Sequence, residues 1–498
     1  MRALRIAVVL ATAAAACLPA PGSWARSKDR SAPRPLTVVA HIDTGVNPYN
    51  KNFRDRSPLA YRHPSTYIPG FPKDAQALRL HLDMPYEKAF KADEDVWKTV
   101  RRGDLYWIPG TKIVGAISFG AGGASCPIVD IPTIVATNDG TCSEHTILDD
   151  AGHGSMTASR AAGNLTSLAP DARLVSIEGL GARSVEWAAD QGWIDVQTNS
   201  WVNLVPPPVP SGTTDAFAKA ASMMPTFAAS GNGSAFLAGV APTPTYLLST
   251  APPGVILVGG HDNGKTTLWA GAPPHVVADA YAGPTAIFDS STEVRPDPIS
   301  CCTSAASPYA AGGAAALILE ARRILGDATT GVHDGVIASG RCGAVKKGPL
   351  ADGEFTLEEF KDLFFHTSQP HPAEGKHDGL IHWAGEPRAP DHTEHGPGGN
   401  PFCLGCTTTP VPWSAIPEEV DAYQFIGYGG INEFSVALGK KVLRGKAAPR
   451  DRELADAQYE VDQSIRELML TGATSGQVGG EEKATACVAI AGRGDPCN

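Results

Sequence analysis

The chain has 498 residues, of which 43% are hydrophobic and 19% are charged. This composition is typical of a globular protein and excludes a fibrous or intrinsically disordered one. The formal net charge of −11 disfavours nucleic acid as a partner, because a protein that binds nucleic acid needs a basic surface to meet the phosphates.

The first 25 residues follow the pattern of an export signal. Arg2 and Arg5 supply the positive start, residues 6–16 form a short apolar run, and residues 23–25 (Ser-Trp-Ala) form a small-x-small cleavage site. We therefore expect a secreted protein that begins at Arg26. Its formal charge would be −13, because the signal carries two arginines and no acidic residue.

A membrane attachment is the weaker alternative. Lipidation at Cys17 would need the leucine usual in a lipoprotein box, and residues 14–16 are all alanine. A transmembrane helix needs roughly 20 apolar residues, and no later segment offers such a run. We expect no integral membrane segment in the mature chain.

From Pro35 onward, apolar runs alternate with helical patterns, and this alternation predicts an α/β fold with a parallel sheet covered by helices. The expected strands are 36–42, 173–177, 194–202, 226–230, 255–258 and 276–280. The expected helices are 153–163, 184–190, 213–224 and a long, buried one at 304–325. Residues 423–443 have a strand-then-helix pattern, and a charged helix is expected near 450–470.

Two segments do not follow this alternation of apolar runs and helical patterns. Residues 47–150 are rich in charges, prolines and aromatics, and residues 367–412 are rich in proline, glycine and histidine. We interpret both as long loop insertions. The expected organisation is a signal peptide at 1–25, one domain at 26–445 with insertions near 47–150 and 367–412, and a helical, cysteine-containing C-terminal extension at 446–498.

Four short segments carry the groups that a serine needs to hydrolyse an amide. Asp43 ends a buried strand, and His153 stands between two glycines where a helix starts. Ser304 lies at a helix N-terminus, where the dipole favours developing negative charge. Asn232 follows another strand and offers a side-chain amide as a donor. Together they predict a nucleophile, a base, an orienting carboxylate and an oxyanion donor.

In their chain order, Asp43, His153, Asn232 and Ser304, the four segments resemble the subtilisin-like serine peptidases, the subtilases. The resemblance implies a three-layer, subtilisin-like fold with a parallel central sheet. It also implies that Ser304 attacks the substrate carbonyl, that His153 acts as general base and then acid, and that Asp43 orients the imidazole. Asn232 and the Ser304 amide would form the oxyanion hole.

The resemblance extends to the substrate cleft. Ser200, Trp201 and Val202 match the strand that pairs with the bound peptide, and Gly231 borders the same region. The expected function is therefore that of a secreted serine endopeptidase with an acyl-enzyme intermediate, acting on proteins or peptides. The alternative is a catalytically silent peptide-binding protein of the same fold, because Cys302 and Val202 stand where the family usually has glycine.

We expect a monomer whose chemistry requires no cofactor. Calcium is common in the family, but its loop ligands have no reliable spacing, so no structural calcium site is assigned to particular residues. Six histidines run towards Cys403 and Cys406, but their spacing matches no zinc pattern, and we assign no metal ligands.

Ten cysteines become nine when Cys17 leaves with the signal, and an exported protein should pair most of them. Spacing alone leaves the connectivity open. The short loops that it suggests are Cys126 with Cys142, Cys403 with Cys406 and Cys487 with Cys497, with one bridge and one free thiol shared among Cys301, Cys302 and Cys342.

Overall fold

The computed structural model describes residues 34–120, 147–149, 152–201, 204–205, 212–231, 247–248, 251–261, 267–269, 274–279, 284–286, 290–292, 294–296, 302–369, 382–383, 428–450, 456 and 460. The predicted export signal with Cys17, the residues Val202 and Asn232, and most of the predicted 367–412 insertion and C-terminal extension lie outside these residues.

Within the described residues, twelve strands form one mostly parallel sheet. These strands are β1 (Val38–Asp43), β2 (Gln76–Ala77), β3 (Tyr106–Trp107), β4 (Ile113–Ser118), β5 (Arg173–Glu178), β6 (Val196–Asn199), β8 (Thr226–Ala229), β10 (Ile256–His261), β11 (Thr267–Trp269), β12 (Val276–Asp279), β17 (His382–Trp383) and β18 (Gly430–Ile431). The central strands run in the order β4-β5-β1-β6-β8-β10-β12-β18, each parallel to the next.

Three short two-stranded ladders lie outside this sheet. They pair β7 (Leu204–Val205) with β9 (Leu247–Leu248), β13 (Pro284–Ala286) with β14 (Val294–Pro296), and β15 (Val336–Ser339) with β16 (Glu354–Thr356).

Helices cover the sheet in the three-layer α/β arrangement. The helices are α1 (Tyr86–Ala92), α2 (Glu94–Trp97), α3 (His153–Ala162), α4 (Ala182–Asp190), α5 (Gly212–Met223), α6 (Cys302–Leu325), α7 (Leu357–His366) and α8 (Glu433–Leu443), with short 3-10 turns at Lys51–Phe53, Pro58–Tyr61 and Pro64–Thr66. The long helix α6 packs on α3, α8 and the central strands, while α4 and α5 pack on each other. None of the helices in the described ranges has the length and hydropathy of a membrane span.

Most of the strands and helices predicted from the sequence are confirmed to within a few residues. The strand expected at 194–202 is shorter, because regular pairing of β6 ends at Asn199. The continuous apolar runs produce strands buried on both faces, as in β1, where all six residues are buried.

The segment 47–150 differs from the expected loop insertion. Residues 113–118 form β4, a fully buried strand that pairs in parallel with β5, and β2 and β3 extend the sheet beyond it. The run of β4 is as buried as that of β1, but it is short and directly follows a stretch that contains charged residues. This part of the segment is therefore part of the sheet.

A buried ion pair anchors α6 to the edge of the sheet where β1 begins. The guanidinium of Arg322 lies 2.5 Å from Asp195 Oδ1, and both side chains are 0% exposed. Asp195 also accepts the amide of Val38 through Oδ2, at 2.7 Å. Arg322 donates to three backbone carbonyls, among them that of Leu36 at 2.8 Å. These bonds fix the helix that carries Ser304 relative to the strand that carries Asp43.

Candidate active site

The candidate site lies at the edge of the sheet where the parallel strands end, the usual location of ligand sites in such sheets. Asp43 is the last residue of β1 and is 1% exposed. Ile42 is paired with Asn199 of the neighbouring strand β6. Asp43 follows Ile42 and Ser200 follows Asn199, so these two residues are neighbours at the ends of adjacent strands.

His153 is the first residue of α3, and two glycines bring it to Asp43. Gly152 has a φ of 83°, in the left-handed region that favours glycine. A β carbon on Gly154 would lie 2.1 Å from the carbonyl oxygen of Gly45, so only glycine allows the helix to start this close to the turn after β1.

Asp43 and His153 form a hydrogen-bonded pair. Their atoms Oδ1 and Nδ1 lie 2.6 Å apart. Burial raises the pKa of Asp43, but the charge of His153 and its hydrogen bond, together with smaller effects of His41 and the Thr44 amide, hold the pKa below its ordinary value of 3.8. Asp43 is then an anion that accepts the Nδ1–H proton. This tautomer leaves Nε2 as the basic nitrogen of His153.

The pKa of His153 is raised. Burial lowers it, but the charge of Asp43, the hydrogen bond to Asp43 and the charge of Asp149 outweigh burial, so the pKa lies above the ordinary 6.5. The side chain is 13% exposed, so the ring is mostly buried. The raised pKa makes His153 a stronger base than an ordinary histidine.

A second buried carboxylate, that of Asp149, holds the start of α3. It accepts the amides of Gly152 at 2.9 Å and Ser155 at 2.5 Å. It also accepts the hydroxyl of Thr44, and Thr44 Oγ1 in turn accepts the amide of Gly154 at 2.8 Å. The end of β1 and the start of α3 are thus tied together by hydrogen bonds to charged or polar oxygens.

Ser304 lies in the first turn of α6, as the sequence predicts. Its Oγ donates a hydrogen bond to the carbonyl of Ser200 at 3.0 Å. One turn later, Ser307 Oγ donates to the carbonyl of Asn199 at 3.4 Å. The N-terminus of α6 is therefore seated on the end of β6, beside the strand that carries Asp43.

The predicted substrate-binding residues lie along the same edge. Ser200 is buried, and Trp201 is half-buried, with its ring centroid 5.5 Å from that of Phe217. Gly231 follows β8, the parallel neighbour of β6, with a φ of 86°. The last two predicted site residues, Val202 and Asn232, lie outside the described residues.

Three residues of the site were not predicted from the sequence: His41, Asp149 and Thr157. Thr157 Oγ1 lies 2.9 Å from Asp43 Oδ2 and 2.6 Å from His41 Nε2. Alternation along β1 places His41 and Asp43 on one face, and a helical turn separates Thr157 from His153. These spacings are the sequence signals for His41 and Thr157. Over the part of the chain that the structure describes, no group of three or more His, Cys, Asp or Glu side chains is placed to hold a metal ion.

Comparisons with solved structures find distant likenesses. A protease from Pseudoalteromonas arctica is 16% identical, with a TM-score of 0.36, over 81% of this chain and 90% of that one. The epidermin leader peptide processing serine protease of Staphylococcus aureus is 12% identical, with a TM-score of 0.39, over 83% of this chain and 77% of that one. A cold adapted subtilisin-like serine proteinase is 14% identical, with a TM-score of 0.31, over 60% and 81%. These likenesses are too distant to support a conclusion about this chain.

The sequence itself is more informative. No curated protein sequence matches the chain. The model of the subtilase family matches residues 36–339, which is more than half of the chain and includes Asp43, His153 and Ser304. With its mostly parallel α/β sheet, the chain belongs to the subtilase family of serine peptidases, whose substrates are proteins.

Proposed function

We propose that the chain is a secreted serine endopeptidase that cuts peptide bonds with Asp43, His153 and Ser304 as its catalytic triad. The observation that carries the proposal is the 2.6 Å contact between His153 Nδ1 and Asp43 Oδ1, next to the strand end on which Ser304 is seated. The carboxylate orients the ring, and the raised pKa of His153 makes Nε2 an effective base.

In the first step, Ser304 Oγ attacks the carbonyl carbon of the scissile bond while Nε2 of His153 takes the hydroxyl proton. The resulting imidazolium is stabilised by Asp43. It then gives its proton to the leaving amine, and the C–N bond breaks to leave an acyl-enzyme on Ser304. Water attacks the ester, His153 again takes and returns the proton, and the acid product leaves.

The tetrahedral intermediates carry a negative charge on the former carbonyl oxygen. Ser304 lies in the first turn of the 24-residue helix α6, so its own backbone amide is one of the free donors at a helix N-terminus. We propose the Asn232 side chain as the second donor. Loss of such a donor typically costs about 3–4 kcal/mol of transition-state stabilisation.

The substrate would bind as an added strand along Ser200, Trp201 and Val202, with Gly231 across the cleft. Ser200 and Trp201 directly follow β6, so an extended peptide could pair beside them. The nucleophile, base and orienting carboxylate are all side chains of this protein. We therefore expect hydrolysis to need no added cofactor.

Casein hydrolysis by the purified mature protein tests the proposal. We expect wild type to cut casein and Ser304→Ala to leave it intact. Ser307→Ala is the matched control, because it removes the other hydroxyl with which α6 contacts β6 and should retain most of the activity. Intact casein with well-folded wild type, or full activity in Ser304→Ala, would refute the endopeptidase; the first result would favour a silent, peptide-binding subtilase.

Export is the second part of the proposal. Its support is the signal pattern at residues 1–25, with a positive start, a short apolar run and a small-x-small cleavage site. We propose that residues 26–445 form the peptidase domain, that 446–498 form an extension, and that the protein is a monomer. N-terminal sequencing of exported protein should read from Arg26; an intact Met1 in the exported chain would contradict the cleavage.

A further inference from the structure

A second histidine lies behind the candidate catalytic carboxylate. His41 and Asp43 are two residues apart on β1, and both side chains are almost fully buried. Nε2 of His41 is 3.7 Å from Asp43 Oδ2, which is too far for a hydrogen bond. Thr157 bridges the two, because its hydroxyl is 2.6 Å from His41 Nε2 and 2.9 Å from Asp43 Oδ2.

The direction of these bonds follows from the groups involved. An ionised carboxylate only accepts, and it accepts more strongly than the backbone carbonyl of His153, which lies 3.0 Å from the same hydroxyl. The Thr157 proton therefore points to Asp43. Its oxygen then accepts the Nε2–H of His41, which must be the tautomer with a bare Nδ1.

The surroundings of Nδ1 agree with this assignment. Within the described part of the chain, Nδ1 of His41 is buried and has no hydrogen-bond partner. A buried N–H without a partner is rarer in proteins than a buried acceptor without one. The opposite tautomer would leave an orphan donor there and would also deprive Asp43 Oδ2 of its hydrogen bond.

The charge on His41 is also constrained. Its paired residues on β5 and β6 are Ser176 and Thr198, which are uncharged, so the charged groups that face it are Asp43 and, beyond it, His153. Burial lowers the pKa of His41 to about 4, despite the opposing effect of Asp43. Near neutral pH the ring is therefore a neutral donor.

We propose that Thr157 and His41 are positioning residues that act through Asp43, in a hydrogen-bonded chain that runs from His41 through Thr157 and Asp43 to His153. This inference rests on the proposed triad. The donor on Oδ2 holds the carboxylate in the plane that directs Oδ1 to His153. It also withdraws negative charge from Asp43, and so limits how far the carboxylate raises the pKa of His153.

Fluorophosphonate labelling rates measured against pH test the role of Thr157. Thr157→Val keeps the shape but removes the hydroxyl, and we expect the plateau rate to fall roughly tenfold, as for the loss of a hydrogen bond to a charged group. The acid limb should also move to higher pH. Thr157→Ser should restore both, and Ser159→Ala, which removes a hydroxyl bonded to the Met156 carbonyl on the same helix, should change neither. An unchanged rate and pH profile in Thr157→Val would overturn the proposal.

Nitrogen-15 NMR of the histidine rings in the Ser304→Ala variant tests the role of His41 without any catalysis. We expect a neutral His41 that is protonated at Nε2 and bare at Nδ1 at pH 7. Protonation at Nδ1 would overturn the chain. This readout separates the two proposals: absence of labelling in wild type would remove the triad, whereas the wrong His41 tautomer in an active enzyme would remove only the chain behind it.

Discussion

Gly154 lies against Gly45 so closely that a β carbon at position 154 would be 2.1 Å from the Gly45 carbonyl oxygen and 2.8 Å from its amide nitrogen. The start of α3 can therefore approach the end of β1 only as a bare backbone. This close approach allows His153, the first residue of α3, to reach the carboxylate of Asp43 at the end of β1. A single methyl group added at position 154 should therefore disturb the Asp43–His153 contact.

Replacement of this glycine should damage the site more than the fold. In Gly154→Ala the backbone must move to relieve the clash, so we expect the fluorophosphonate labelling rate to fall at least tenfold, since small misplacements of catalytic groups are costly. Gly181→Ala is the control, because a β carbon there meets no atom within 4 Å and the residue precedes α4. Equal labelling rates in the two variants would argue against the close approach.

Removing the charge of Asp43 should nearly abolish catalysis. In Asp43→Asn the side chain no longer selects the His153 tautomer or stabilises the imidazolium, and the corresponding change in a triad costs about ten-thousandfold in rate. Peptide hydrolysis measures the loss, and circular dichroism checks the fold. Asp95→Asn, at an aspartate whose side chain is 96% exposed, should behave as wild type. A loss of less than about tenfold would contradict the role of Asp43.

Activity and local stability should depend on pH in opposite directions. Since the pKa of His153 is raised, the labelling rate should rise through a midpoint above pH 6.5 as the ring becomes neutral. The bond between imidazolium and Asp43 contributes stability that is fully present below pH 6.5 and is lost as pH rises through the raised pKa. Labelling rates and urea unfolding of wild type and His153→Ala measure both; a midpoint below pH 6.5 would be inconsistent with the pair.

Two neighbouring arginines should differ sharply in their effect on stability. Arg322→Met leaves Asp195 as an unpaired, fully buried charge, which typically costs about 3–5 kcal/mol. Arg323→Met removes a surface pair with Asp171, whose side chains are 48% and 66% exposed, and should cost less than about 1 kcal/mol. Urea unfolding of both variants tests this; equal losses would show that the buried pair does not anchor α6.

Much of the site could be predicted from the sequence because its signals are local. The apolar run before Asp43 predicts a buried strand, and the glycines beside His153 indicate a close backbone approach at a helix start. The alanine-rich run after Ser304 predicts the long helix α6. Each of these features depends on residues within about one strand or helix of the proposed catalytic group.

The remainder depends on contacts that a single sequence does not reveal. Thr157 and His41 are 116 residues apart, and each reads as an ordinary buried residue of its own helix or strand. Thr44 and Asp149 are separated by 105 residues and meet only when α3 docks on β1. The strand at 113–118 was missed because a six-residue, mostly apolar run has no distinctive period.

Mass-spectrometric mapping of a fluorophosphonate label on the mature protein tests the central claim most directly, because the probe reacts only with an activated hydroxyl and the map names the residue. We predict a single label on Ser304 in wild type, at a rate that falls steeply in His153→Ala, and no label in Ser304→Ala. A label on another serine, or no label on well-folded wild type, would contradict the proposed triad.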